Sequence, residues 1–206
     1  MNCFCKFIVK CFNVLFPSKI YGKENIPEGG VLISCNHFSA ADCGYIAKAY
    51  NKDINFLAKK ELFKNKLFAK IIKAFGAIPI DRDNPDMKTM LSVIKILKND
   101  HKLLIFPEGT RNKSGTDQLQ ELKGGVAIFS VKAKKPVLPV MILKKAGLFR
   151  RAKLLIGKPF EFSEFYDKKL TDDDIKAMDE ILVSKMKEVQ TQLKQILADK
   201  KKKKCK

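Results

Sequence analysis

The chain has only two histidines, His37 and His101, in 206 residues. Any imidazole chemistry is therefore confined to two positions. Its six cysteines, Cys3, Cys5, Cys11, Cys35, Cys43 and Cys205, include no Cys-x-x-Cys pair, which removes the spacing of a zinc knuckle or a dithiol redox couple. No Gly-x-Ser-x-Gly elbow occurs, so the usual seat of a hydrolase serine is missing. A catalytic zinc needs three protein ligands, and His101 lies in a polar turn far from the other candidates, so no metal site is expected. Acidic residues are scarce as well: twenty-two Asp and Glu face forty-one Lys and Arg, a formal net charge of +19.

That imbalance makes the surface attractive to polyanions. No RNA-recognition, zinc-finger or helix-turn-helix signature accompanies it, and its densest cluster is the terminal run Lys200-Lys201-Lys202-Lys203-Lys204-Cys205-Lys206. An anionic membrane is the expected partner, and no nucleic acid. The cysteines are expected as small, apolar, reduced thiols of a cytosolic compartment. At the other terminus, Cys3-Phe4-Cys5-Lys6-Phe7-Ile8-Val9-Lys10-Cys11-Phe12-Asn13-Val14-Leu15-Phe16 confines its polar residues to one narrow helical stripe. Such a helix is about 21 Å long, short of the roughly 30 Å hydrocarbon core, and suits a membrane interface or a cap on the domain core better than a span.

With 46% hydrophobic residues, the chain can bury one substantial core. Pro17 ends the first helix, a polar linker follows, and Val31–Cys35 reads as a buried strand. Short apolar runs recur at residues 54–58, 76–80, 103–106, 137–142 and 154–156, with helix-length segments between several of them. One such helix is expected to open at Asn84-Pro85, with Met87, Met90, Leu91, Ile94 and Leu97 on a shared face. Another opens at Thr171, with Asp174 completing a capping box. Strands alternating with helices predict a single α/β domain with a mainly parallel central sheet flanked by helices, an N-terminal amphipathic helix and a C-terminal helix with a basic tail. The expected divisions are 1–19 for the interfacial helix, 20–165 for the catalytic domain and 166–206 for the terminal helix and lysine tail. Pro79 and Pro139 cannot donate to a ladder and are expected at strand ends or bulges.

Two segments carry the chemistry. Asn36-His37-Phe38-Ser39-Ala40-Ala41-Asp42 sets a histidine and an aspartate five positions apart, directly after a buried strand. Asp42 could reach back and hold the ring in one tautomer, which is two-thirds of a serine triad. Ser39 is too near in sequence to be placed as the nucleophile, which leaves the attacking hydroxyl to the substrate. Phe106-Pro107-Glu108-Gly109-Thr110-Arg111 follows another apolar run and offers a close backbone approach together with a guanidinium fork suited to phosphate. Ile80-Asp81-Arg82 ends a third run. Ligands of open parallel sheets bind beyond the carboxyl ends of the strands, where all three segments fall.

These blocks, with Gly76-Ala77-Ile78-Pro79-Ile80-Asp81-Arg82 and Val137-Leu138-Pro139-Val140, resemble the glycerolipid acyltransferases, most closely the bacterial 1-acylglycerol-3-phosphate acyltransferases. The likeness covers roughly residues 20 to 160. Asn112 stands where that family often has serine. The resemblance implies acyl transfer from an acyl thioester, on coenzyme A or acyl carrier protein, to the sn-2 hydroxyl of lysophosphatidate. No cofactor would stay bound and no acyl-enzyme would form. It makes His37 the general base and Asp42 its orienter, puts Arg82 and Arg111 on the acceptor phosphate with Lys59 assisting, and gives Glu108, Gly109 and Thr110 the shaping of the acceptor pocket. It further implies a peripheral enzyme on the cytoplasmic face of the cell membrane. The same chemistry on glycerol 3-phosphate or another lysophospholipid is an alternative within the class. A non-catalytic basic protein that binds anionic lipid or nucleic acid is the alternative outside it.

Overall fold

A computed structural model describes residues 10–50, 54–81, 86–114, 116–122, 126–143 and 147–203. Among these residues seven strands form one sheet: β1 (Ser18–Tyr21), β2 (Val31–Cys35), β3 (Asn55–Lys59), β4 (Ala77–Ile80), β5 (Lys102–Ile105), β6 (Val137–Leu143) and β7 (Ala152–Ile156). Their spatial order is β1-β7-β6-β2-β5-β3-β4. Every neighbouring pair is parallel except β6 with β7. The carboxyl ends of β2 to β6 therefore share one edge of the sheet with the amino ends of β1 and β7.

Among the described residues six helices cover the two faces: α1 (helical residues 10–15), α2 (Ala41–Ala49), α3 (Lys66–Ala74), α4 (Met87–Lys98), α5 (Val126–Ala133) and α6 (Asp172–Lys202). Alternation along β2 assigns the faces. Val31, Ile33 and Cys35 point to a cluster with Tyr45 and Ile46 of α2, against which Phe12 of α1 packs. Leu32 points to the opposite cluster with α4, α5 and α6. A strand buried on both sides reads as the continuous apolar run seen in the sequence.

The terminal helix belongs to this core. Met178, Leu182, Met186, Val189 and Leu193 recur every three or four residues along α6 and are buried, each worth about 1.5–3 kcal/mol of removed apolar surface. The capping box opens α6 as the sequence predicts: the Thr171 side chain accepts from the Asp174 N–H, and the Asp174 carboxylate accepts the Thr171 N–H at 2.9 Å. At its far end Lys200 lies over the Tyr21 ring of β1, 4.2 Å from the centroid.

Four local features differ from, or sharpen, the sequence expectations. The segment after Pro17 is not all linker: Ser18–Tyr21 pairs with β7 as an edge strand, so the division at residue 19 falls inside an element. The α4 N-cap is Asp86, which accepts from the Thr89 N–H; Asn84 and Pro85 lie outside the described residues. On α4, Val93 and Leu97 are buried, whereas Met87 and Leu91 are exposed. Pro79 sits on the edge strand β4, and Pro139 sits at a bulge. Val137 bridges Phe160, but Val140 pairs with Ile156, so three β7-side residues oppose two on β6 just where the proline offers no donor.

α1 lies directly on α2. Phe12 stacks on Phe16 and meets Tyr45, with ring centroids 5.0 and 5.7 Å apart. A Cβ added at Gly44 would come within 2.3 Å of the Phe12 ring. Only glycine allows that approach.

Candidate active site

The site begins where β2 runs out. Asn36 is buried, and its amide pairs with the backbone of β6: Nδ2 donates to the Ile142 carbonyl at 3.0 Å and Oδ1 accepts the Ile142 N–H at 2.8 Å. The side chain continues the ladder while the main chain turns away. His37 is then held from the β5 side, because its N–H donates to Glu108 Oε1 at 2.9 Å and its carbonyl accepts the Asn112 N–H at 2.7 Å. Phe106 stacks on the imidazole with ring centroids 3.9 Å apart. Backbone and ring are thus fixed before any substrate arrives.

Asp42, in the first turn of α2, meets His37 Nδ1 at 2.9 Å through Oδ2. The same oxygen accepts the N–H groups of Phe38 and Ser39, both at 2.7 Å, and Oδ1 accepts the Ser39 hydroxyl at 3.2 Å. An acceptor-only carboxylate at Nδ1 requires the neutral ring to carry its proton there. Nε2 is left with a lone pair and has no hydrogen-bond partner among the described residues. That is the arrangement of a general base with its orienter.

Among the described residues no protein nucleophile completes a triad. Ser39 Oγ donates to Asp42, on the far side of the imidazole from Nε2. The Cys35 thiol is fully buried and bonded to the Asn36 carbonyl at 3.3 Å. Burial, followed by the charges of Asp42, Cys43 and Glu108, pushes its pKa well above that of an ordinary thiol, so it stays protonated. The described residues supply a base and no hydroxyl or thiol for it to activate.

The second segment turns sharply after β5. Gly109 adopts φ 66°, and its N–H donates to the Phe106 carbonyl at 3.0 Å, a left-handed turn suited to glycine. Thr110 and Arg111 are exposed beyond it, and the Arg111 guanidinium has no ion pair among the described residues. Glu108 has both carboxylate oxygens on backbone donors. It is 2% exposed, with Oε1 on the His37 N–H and Oε2 on the Gln120 N–H at 3.4 Å. Burial pushes its pKa up, opposed by those two backbone donors. It ties the histidine turn to the loop at residues 116–122. Lys59 closes β3, next to β5, and is half-exposed with Glu61 Oε2 at 3.7 Å. Arg82 lies outside the described residues; its neighbour Asp81 pairs with Lys60. The structure joins His37, Asp42 and Glu108 in direct contact and sets Gly109, Thr110, Arg111 and Lys59 along the same edge.

A family model described as Acyltransferase matches residues 17–143. The chain belongs to the acyltransferase family. It is 33% identical over 187 residues to the 1-acyl-sn-glycerol-3-phosphate acyltransferase of Bacillus subtilis (strain 168), a match covering 86% of this chain and 90% of that protein. It is 33% identical over 184 residues to the enzyme of the same name from Streptococcus pneumoniae (strain ATCC BAA-255 / R6), covering 86% of this chain and 66% of that protein. The crystal structure of the 1-acyl-sn-glycerophosphate (LPA) acyltransferase PlsC from Thermotoga maritima superimposes with a TM-score of 0.65 at 24% identity, covering 91% of this chain and 77% of that one. This acyltransferase shares that fold.

Sequence reasoning passed over three positioning residues of the acyltransferase site. Asn36 and Phe106 stand inside the two motifs, beside more conspicuous neighbours. Asn112 looked like a neutral variation, yet it is buried and organises its loop, with Nδ2 on the Gln118 carbonyl and Oδ1 receiving Ser114 N–H and Oγ. An Asn two residues before a Ser is a local turn signal. Its bond to His37 had no signal in sequence.

Proposed function

We propose that this acyltransferase moves an acyl group from an acyl thioester to the sn-2 hydroxyl of lysophosphatidate, giving phosphatidate. The observation that carries the reading is a histidine locked by Asp42 with Nε2 open and, among the described residues, no protein nucleophile beside it. The base then has one task, deprotonating a hydroxyl that arrives with the acceptor. His37 Nε2 takes that proton as the oxygen attacks the thioester carbonyl. The tetrahedral intermediate collapses, the carbon–sulfur bond breaks, and the thiolate leaves with the proton returned from the imidazolium. Asp42 balances the imidazolium charge between the two transfers.

The acceptor phosphate is assigned to Arg111 and Lys59, exposed cations at the carboxyl edge that flank the base from the β5 and β3 side, and to Arg82 on the resemblance of its motif alone. A guanidinium fork fits two phosphate oxygens. The thioester is carried on coenzyme A or acyl carrier protein. No helix among the described residues is long and apolar enough to cross a membrane, which suits peripheral attachment at the cytoplasmic face through residues 3–16 and the terminal lysines. Residues 1–9 and 204–206 lie outside the described residues.

The test is thiol release from acyl-coenzyme A and acyl carrier protein with lysophosphatidate as acceptor. Release that depends on lysophosphatidate, and that falls about 10²–10⁴-fold in His37→Ala, is expected. A folded His37→Ala variant with wild-type turnover would sink the mechanism.

A further inference from the structure

Nine large apolar side chains are exposed among the described residues, and the topology gathers all of them at one edge of the sheet. Val14 and Leu15 end α1 just before the start of β1, and Leu148 and Phe149 form a turn just before the start of β7. The two pairs are tied together, since the Phe149 N–H donates to the Leu15 carbonyl at 2.8 Å. Phe149 has φ 57° and is 66% exposed. A bulky residue in left-handed backbone is strained, and here it presents a phenyl ring to solvent. Arg150 and Arg151 stand exposed beside it.

The second group lies across the active site. Leu62 belongs to the helical turn directly after β3, and Leu67 and Phe68 to the first turn of α3, exposed by 44%, 73% and 44%. Met87 and Leu91 occupy one face at the start of α4, which follows β4. α3 buries only Ala69, so its apolar face is wider than the core requires. Lys64, Lys66 and Lys70 are exposed around it. Because β2 and β5 lie between these strand groups, His37 and residues 106–111 sit between the two apolar clusters. Five strand spacings of roughly 4.8 Å put the clusters about 24 Å apart.

We propose that this edge is a bilayer-docking face with two apolar feet, one formed by α1 and the Leu148–Phe149 turn and the other by the starts of α3 and α4. The catalytic histidine opens onto the lipid surface between them. Apolar tips ringed by lysine and arginine match the acyl boundary and headgroups of an anionic membrane. A protein partner would have to satisfy two separated basic patches at once. The inference rests on the acyltransferase reading for its purpose, since a lysophospholipid acceptor resides in that surface, but docking itself is measurable without turnover.

The experiment uses the full chain and two paired variants, Leu67→Glu/Phe68→Glu and Leu148→Glu/Phe149→Glu, at exposed positions where circular dichroism should be unchanged. Co-sedimentation is measured with phosphatidylglycerol-containing and pure phosphatidylcholine vesicles. Thiol release is measured with long-chain lysophosphatidate in vesicles and with a short-chain, monomeric lysophosphatidate. Each pair should lower binding to anionic vesicles and vesicle-acceptor turnover by about tenfold or more, with turnover of the monomeric acceptor unchanged. Wild-type vesicle binding by the Leu67/Phe68 pair would overturn the second foot. So would a wild-type dimer that this pair alone converts to monomer, because a second copy would then be the occupant. Absence of turnover of either acceptor by the unmodified protein would overturn the acyltransferase reading instead, while vesicle binding would still decide the docking face.

Discussion

Replacing Asp42 with asparagine separates the charge of this residue from its shape. Oδ2 accepts three hydrogen bonds, two of them from the backbone N–H groups of Phe38 and Ser39, and backbone donors cannot reorient. The asparagine oxygen must therefore take the Oδ2 position, with its NH₂ facing the Ser39 hydroxyl, which can accept. Nδ1–H of His37 keeps an acceptor and the tautomer survives. What disappears is the negative charge beside the imidazolium. With charge centres about 4 Å apart and an effective dielectric near 20, that attraction is about 4 kcal/mol, or about 10³-fold in rate. Asp42→Ala in addition leaves the buried Phe38 N–H and the half-buried Ser39 N–H without acceptors, at about 1–3 kcal/mol each. The expected pattern in thiol release and thermal denaturation is a stable, slow Asn variant and an Ala variant that is both slow and several degrees less stable. Equal melting temperatures for Asn and Ala, or an Asn variant near wild-type rate, would refute the reasoning.

Arg111→Lys keeps the charge and loses the fork, so the Michaelis constant for lysophosphatidate should rise while that for the acyl donor stays constant; a change in donor saturation alone would reassign the residue. Glu108→Gln removes a buried carboxylate whose pKa is raised by burial. Between the ordinary glutamate range and that raised pKa the folded state holds more protons than the unfolded one, so Glu108 contributes most stability in acid and loses it as pH rises. The stability of wild type relative to Glu108→Gln, followed by chemical denaturation from about pH 4 to 7, should therefore decline with pH, and a rising difference would contradict the assignment.

Much of the architecture was legible because local and global signals agree in it. β2, β5 and β6 are buried on both faces and show as unbroken apolar runs, and Thr171 with Asp174 announces α6 whatever it packs on. β1 was illegible for the opposite reason. Ser18-Lys19-Ile20-Tyr21 has no pattern of its own, and its pairing with β7 joins residues more than 130 positions apart. The His37–Asp42 contact could be anticipated from spacing, since five residues on a turn and a helix start bring Asp42 back to His37, while the roles of base and orienter came from the resemblance. The Glu108 contacts could not. A carboxylate in a glycine turn looks substrate-facing until burial shows both oxygens spent on backbone amides. α4 misled through its width: Met87, Met90, Leu91, Ile94 and Leu97 form one stripe in sequence, but Leu97 is buried in the core while Met87 and Leu91 are exposed, and the buried Val93 lies outside that stripe.

The two outer strands decide how the molecule behaves in a crowd. β1 and β4 are each four residues long, and each outer rim is spoiled for further pairing. On β4, Pro79 offers no N–H to an incoming strand. On β1, Lys19 and Lys200 both lie over the Tyr21 ring, so another copy would meet paired ammonium groups along its approach. Short edges, proline and lysine are the devices by which sheet proteins avoid sticking edge to edge. On the proposed bilayer-docking face, copies gathered from solution into two dimensions would meet far more often, and these blocked rims would let such a layer become dense without becoming a fibre.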